Sequence, residues 1–265
     1  MLVMRDSVQE PGPFICGACM VRDIVDTTMH AVRQLAEHCD VIVILVDRAD
    51  GDLPNLTADL VVPAIVLSVP PSLGIGPWLF PESAMLNLIY RAVDLVAPTW
   101  VVFLDQDQQL AIHPGVSSLQ GALSKVEADV TGISVQVRSV WNDPEFPLMV
   151  PVMGSGIGFQ VRAWKYCEGL LPGGKPLHNG VAPVNLLGDA VRTEIFAIDH
   201  FGWPTLRARI DRARYYLGRD PESRWNGGVR YDEGLLFGYT LERLDELVSE
   251  YGRRVAVREV EFRKS

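Results

Sequence analysis

The chain has 265 residues, 48% of them hydrophobic, and a formal net charge of −9. That length and apolar content suffice for a substantial core in one elaborated domain. The acidic balance argues against a general affinity for nucleic acid or an anionic membrane, and leaves room for a small anionic ligand in a local basic groove.

No run approaches the roughly 20 continuous apolar residues of a membrane-spanning helix. The opening residues include Arg5, Asp6, Gln9 and Glu10, which is not a signal-peptide pattern. The expectation is a soluble, cytoplasmic protein. Cys39 and Cys167 are isolated, and Cys16 and Cys19 form a Cys-x-x-Cys inside an apolar strand pattern. No second cysteine pair or close histidine pair completes a zinc set, so the thiols read as buried and inert.

In chain order, Phe14 to Val21 reads as a first strand closed by Arg22 and Asp23. Helical spacing of Ile24, Val25, Met29, Val32, Leu35 and Ala36 follows, with Asp23 or Asp26 as cap. Val41 to Val46 is a second buried strand that ends at Asp47 and enters a polar turn through Asp50, Gly51 and Asp52. Val61 to Val69 is a third, stopped by Pro70 and Pro71; Pro81 and Glu82 then open a helix that runs to Val96.

The next stretch, Trp100 to Leu110, organises the rest. Five apolar residues form a strand buried on both faces and run directly into Asp105 and Asp107. In an open parallel sheet ligands bind beyond the carboxyl ends of the strands, and two extended residues at i and i+2 point the same way. Both carboxylates can therefore face one hard cation or one polar ligand. A solvated acidic turn is the plain alternative. Strand, helix, strand, strand, helix, strand over this first part is the rhythm of a Rossmann-like α/β sheet.

After Pro114 a helix of about ten residues is expected to end near Val126, followed by a strand from Val130 to Val140 that reaches Trp141, Asn142 and Asp143. Leu148 to Met153 and Ile157 to Trp164 read as two more strands. The glycines between them, Gly154, Gly156 and Gly158, lack the spacing and the following helix that a phosphate loop requires. Leu171 to Lys175 is a turn, and Arg192 to Asp199 alternates as one strand ending at His200, Phe201, Gly202 and Trp203. Leu206 to Leu217 is a basic amphipathic helix with Arg207, Arg209, Arg212 and Arg214. Arg219 to Tyr231 reads as a mobile loop and Leu235 to Tyr251 as a final helix.

Four stretches, in one order, resemble the family 2 glycosyltransferases of the GT-A fold, which move a sugar from a nucleotide diphosphate to an acceptor. Cys19 to Asp23 resembles the family's opening strand ending M-V-R-N-E, with Asp23 in place of Asn. Cys39 to Asp52 is similar to its second strand and acidic loop, though the glycine and serine are displaced. Asn87 to Asp107 is similar to R-N-x-x-x-x-x-A-x-x-D-W-x-x-F-L-D-x-D, and Ile198 to Tyr215 to the H-x-G-(Y/W) that precedes a basic helix.

The resemblance implies a GT-A (Rossmann-like) α/β fold with a mixed, mostly parallel central sheet flanked by helices and a C-terminal helical extension. Residues 1–217 would be the catalytic domain, with a nucleotide-sugar half at about 14–110 and an acceptor half at about 111–217; residues 218–265 would be the extension. It implies an inverting, divalent-metal-dependent transferase using Mn²⁺ or Mg²⁺ and a UDP- or GDP-linked sugar. Asp105, Asp107 and His200 would be the metal set, and Arg22, Asp47, Asp50, Asn87, Asp105 and Arg207 would bind the nucleotide sugar. Arg209 and Arg212 are further candidates for the diphosphate. His178, beside Asn179, and Trp203 would lie on the acceptor side, where Trp141 and Trp164 are also candidates for sugar stacking.

A base close to the acceptor hydroxyl is needed for inversion. Asp143 and Glu145 are the candidates, with Glu168 and Asp189 behind them. Two other readings stand beside this one. The first is a nucleotidyltransferase of related fold, against which weighs the lack of a glycine run after Met20; the second is a non-catalytic nucleotide-binding module.

Overall fold

The computed structural model describes residues 12–21, 26–47, 57, 60–69, 82–140, 142, 158–174, 180–186 and 188–250. They form an α/β fold around one mixed, mostly parallel sheet. Its strands are β1 (Ile15–Val21), β2 (Val41–Asp47), β3 (Ala64–Val69), β4 (Trp100–Asp105), β5 (Gln108–Ile112), β6 (Val130–Ser139), β7 (Gly158–Lys165), β8 (Asp189–Arg192) and β9 (Phe196–His200). The order is β3-β2-β1-β4-β7-β6-β9-β5, with β8 paired to β6 off that path.

The first half is parallel: Cys16 lies beside Val41 and Val101, and Ile42 beside Ala64. Its strands are apolar on both faces because helices cover both. On one face α1 (Asp26–His38) buries Ala31, Val32, Leu35 and Ala36 against Ile15, Ile42, Trp100 and Val102. On the other, α2 (Glu82–Val96) buries Leu86, Ile89, Tyr90 and Val93 against Val43, Phe103 and Trp164. Ala97 stops α2 with a left-handed φ of 46°, and Pro98 cannot continue it.

Cys16 belongs to the α2 layer and Cys19 to the α1 layer. On a strand, residues three apart point to opposite faces, so the pair can form neither a redox couple nor two ligands of one metal. Burial pushes the Cys16 thiol up to about 12 and raises those of Cys19 and Cys39 as well. All of these thiols stay protonated at neutral pH.

The antiparallel half returns the chain to the same edge. β7 runs against β4 and β6, while β9 runs parallel to β6 and against β5. The side chain of Gln34 on α1 accepts from the Leu110 N–H at 2.7 Å and donates to its carbonyl at 3.3 Å. This occupies the outer edge of β5, where an unpaired ladder would otherwise remain. α1 thereby joins β1 at the sheet's centre to β5 at its end, and the sheet curls around that helix.

Three expectations are corrected. The helix after Pro114 is only Leu119–Leu123 (α3), capped by the Ser118 hydroxyl, which accepts from the Gly121 N–H at 3.0 Å. The single strand expected from Arg192 to Asp199 is two, β8 and β9, which pair with successive parts of β6 around a break at 193–195. The long final helix is interrupted. Tyr231–Leu235 (α5) ends where Phe237 and Gly238 take φ of 66° and 87°, and residues 244–250 resume helix. The strand expected at Leu148 to Met153 lies outside the described residues.

The basic helix α4 (Leu206–Arg219) starts at Thr205, whose hydroxyl accepts from the Ala208 N–H at 3.1 Å. It packs on α5, with Leu206, Leu236 and Leu247 in one apolar cluster. The segment expected to be loose, Arg219 to Tyr231, is tied down by buried Asp220, which accepts from Tyr231 Oη at 2.9 Å and the Arg224 N–H at 3.0 Å. Among the described residues no helix is long and apolar enough to cross a membrane.

Candidate functional site

Register decides what meets at the carboxyl edge. Met20 lies beside Asp105 and Leu45, Asp47 beside Val69, and Ser139 beside His200, which is in turn beside Gln108. The ends of β1, β2, β3, β4, β6 and β9 therefore share one edge with the turn between β4 and β5. Asp105 and Asp107 flank that turn, and His200 closes β9 above it.

The turn is held from two sides. Buried Gln108 accepts from the Asp105 N–H through Oε1 at 3.1 Å. The Phe201 N–H donates to the Asp107 carbonyl at 2.7 Å, which fastens the turn to the end of β9. His200 Nε2 then lies 3.5 Å from Asp107 Oδ1. That distance is longer than an ordinary hydrogen bond, and the two side chains face one another.

Gly202 makes this approach possible. A Cβ at Gly202 would overlap Asp107 Oδ2 and stand 2.6 Å from His200 Cε1. Trp203 packs on the imidazole with ring centroids 4.3 Å apart. Burial lowers the His200 pKa from its ordinary value, against the upward pull of Asp107 and Asp105, so the ring is neutral at neutral pH. Its Nδ1 is buried without a hydrogen-bond partner among the described residues.

The two carboxylates are held differently. Asp105 Oδ2 accepts from Arg162 Nη1 at 3.0 Å, and the Arg162 side chain is only 5% exposed. Asp107 instead faces His200 and feels the charge of Arg212 on α4. Of the α4 arginines, Arg207 is 78% exposed and paired with Asp211 at 2.9 Å. Arg209 is buried against Phe237 and donates to the Leu235 carbonyl at 3.1 Å. Arg212 lies over the rings of Tyr216 at 4.8 Å and Trp203 at 6.0 Å.

The structure thus brings Asp107, His200, Trp203 and Arg212 together and turns Asp105 toward Arg162. Among the described residues no three His, Cys, Asp or Glu side chains form a metal-binding group. An oxygen from Asp107 and a neutral imidazole nitrogen from His200 still suit a divalent ion such as Mn²⁺.

Asp47 ends β2 at this edge, but its side chain is outside the described set. Arg22, Asp50, Trp141, Asp143, Glu145, His178 and Asn179 also lie outside the described residues. Asn87 is half-buried on α2. Asp189 starts β8 beside Val130, and Glu168 follows the end of β7, where Lys165 pairs with Trp100. Both reserve bases therefore sit toward the opposite edge of the sheet. Trp164 is fully buried between Tyr90 and Phe103 and is core.

Two residues of the site escaped the sequence reading, Gln108 and Arg162. Gln108 was given no role of its own in the stretch from Trp100 to Leu110. Arg162 lay in a stretch read only as a strand, although a charge directly before Ala163 and Trp164 was the available signal.

No family model matches the chain. It is similar to the uncharacterized proteins Rv3786c of Mycobacterium tuberculosis and Mb3815c of Mycobacterium bovis, each 36% identical over 231 residues. Those alignments cover 86% of this chain and 56% of each relative, so the chain spans about half the length of the curated relatives it matches. Among solved structures it is similar to a mycobacterial protein (18% identity, 78% of this chain and 75% of the other, TM-score 0.39). It is also similar to mannosyltransferase PcManGT of Pyrobaculum calidifontis, solved with GDP-Man and Mn²⁺ (12%, 94% and 81%, 0.45). A third is S. aureus TarS (11%, 87% and 46%, 0.41). At these scores the likeness carries no inference about chemistry.

Proposed function

We propose that the chain is a divalent-metal-dependent glycosyltransferase that moves a sugar from a UDP- or GDP-linked donor to a hydroxyl acceptor with inversion. The observation that carries this reading is the pairing of Asp107 with His200 at the carboxyl edge of the sheet, 3.5 Å apart, an approach that the missing side chain of Gly202 permits. An acidic turn serving only solubility needs no buried neutral imidazole beside it.

In this reading Asp107 and His200 would hold Mn²⁺ or Mg²⁺. The ion, when bound, offsets charge developing on the departing diphosphate. Arg212 adds positive charge on the same side, and Asp47 and Asp105 accept from hydroxyls of the donor. The acceptor oxygen bonds to the anomeric carbon as the bond from that carbon to the diphosphate oxygen breaks. The acceptor's proton passes to a carboxylate, for which Asp143 and Glu145 are the candidates. Trp203 and His178 border the acceptor side. Residues 1–217 carry this chemistry, and α5 with Leu236 and Leu247 packs against α4 as a support.

Calorimetric titration of UDP and of GDP tests the reading, first with Mn²⁺ and then with EDTA in its place. Binding of one diphosphate that vanishes in EDTA is expected. Failure of both to bind with Mn²⁺ present would overturn it.

A further inference from the structure

Arg162 is the least expected charge in the sheet. Ile133 pairs with Ala163, but the next residue, Ser134, pairs with Val161. Arg162 is therefore the extra residue of a β-bulge, a feature that re-aims one side chain and bends the strand that carries it. β4 and β7 pair only from Trp100 to Val102. Beyond that point the strands separate, and the bulged Arg162 reaches across to the end of β4.

Its guanidinium is held before it meets Asp105. Nε and Nη2 donate to Gln160 Oε1 at 3.1 and 2.7 Å, a two-pronged grip from the same strand that fixes the plane of the group. Nη1 then donates to Asp105 Oδ2 at 3.0 Å. The other oxygen, Oδ1, accepts no hydrogen bond among the described residues. A buried guanidinium is a poor way to stabilise a core, since apolar residues of similar size often do as well or better. Its place at the ligand edge, rather than deep in either apolar layer, points to a role in the site.

We infer that Arg162 is a positioning residue for Asp105, fixing that carboxylate through Oδ2 so that Oδ1 is presented to the ribose hydroxyls of the donor nucleotide. This rests on the transferase reading and deepens it. Arg162 divides the acidic pair: Asp105 recognises the donor's ribose hydroxyls, and Asp107 with His200 serves the metal. Arg162 touches Asp105 and Gln160 and acts on the donor through Asp105.

The test is a double-mutant cycle on Arg162 and Asp105, read by calorimetric titration of UDP and of GDP with Mn²⁺. Arg162→Gln is expected to weaken binding about tenfold, the scale of one charge-assisted contact. Arg162→Lys should lose less, because it keeps the charge and loses the fork. In an Asp105→Asn background the Arg162→Gln change should cost nothing further. Wild-type-like binding by Arg162→Gln, or an equal loss in both backgrounds, would overturn the proposal while leaving the transferase reading intact. Where Arg162→Gln fails to melt cooperatively, Arg162→Lys carries the same cycle with the same criteria. If the wild type binds neither diphosphate, the transferase reading falls and the inference with it.

Discussion

His200 Nε2 and Asp107 Oδ1 lie 3.5 Å apart although the two residues are far apart in the chain. The pairing of β5 with β9 sets His200 beside Gln108, and the Phe201 N–H locks the turn that carries Asp107. The approach further requires that residue 202 have no side chain.

Gly202→Ala should therefore damage the site more than the fold. The added carbon meets Asp107 Oδ2 and His200 Cε1, so one of these side chains must swing away. Metal-dependent diphosphate binding should fall at least about tenfold, equivalent to about 1.4 kcal/mol. Calorimetry reads the loss, and an unchanged far-ultraviolet circular dichroism spectrum separates it from unfolding.

The two carboxylates of the turn should differ in metal-free protein. Asp105→Ala strands a buried guanidinium, and because Asp105 is itself 28% exposed the cost should be at the lower range for such losses, about 1–3 kcal/mol. Asp107→Ala removes an acid that makes no hydrogen bond to a cation among the described residues and should change stability by about 0.5 kcal/mol or less. Urea unfolding in EDTA compares them. Equal effects would mean that Arg162 does not depend on Asp105.

Thr205→Ala should loosen the start of α4. It removes the acceptor for the Ala208 N–H, a loss of about 1 kcal/mol, measurable by urea unfolding. Because α4 carries Arg212 toward Asp107, diphosphate binding should weaken as well, by less than in Gly202→Ala.

The C-terminal segment should be acid-sensitive. Asp232 is fully buried, which by itself raises its pKa, but hydrogen bonds from Arg230 and the N–H groups of Leu241 and Glu233 outweigh this and lower it below the ordinary carboxylate value. A depressed carboxylate contributes stability above the unfolded-state pKa, about 3.9, and that contribution is lost as pH falls through the folded value. Thermal melting followed from pH 6 to pH 3 should show a decline that begins near pH 4 and is shallower in Asp232→Asn.

Much of the parallel half was legible. The helix expected from Glu82 to Val96 has those bounds because Pro81 and a clean apolar stripe mark it, and β4 ends at Asp105 as its apolar run does. The antiparallel half was less so. The break that separates β8 from β9 comes from pairing with β6, and the stop at Phe237 and Gly238 from packing on α4. Which α4 arginine lies near Asp107 was not legible: the sequence put Arg207 forward with Arg209 and Arg212 as alternatives, and Arg207 is exposed and paired with Asp211. Arg162 was not legible, because its direction comes from a bulge, a property of two strands rather than of one.

Pulsed electron paramagnetic resonance of Mn²⁺ bound with UDP or GDP tests the pairing of Asp107 and His200 most directly. The account predicts a nitrogen coupling from a single imidazole, present in the wild type and in Asp105→Asn and absent in His200→Ala. Bound Mn²⁺ and diphosphate with no nitrogen coupling, or a coupling that survives His200→Ala, would contradict it.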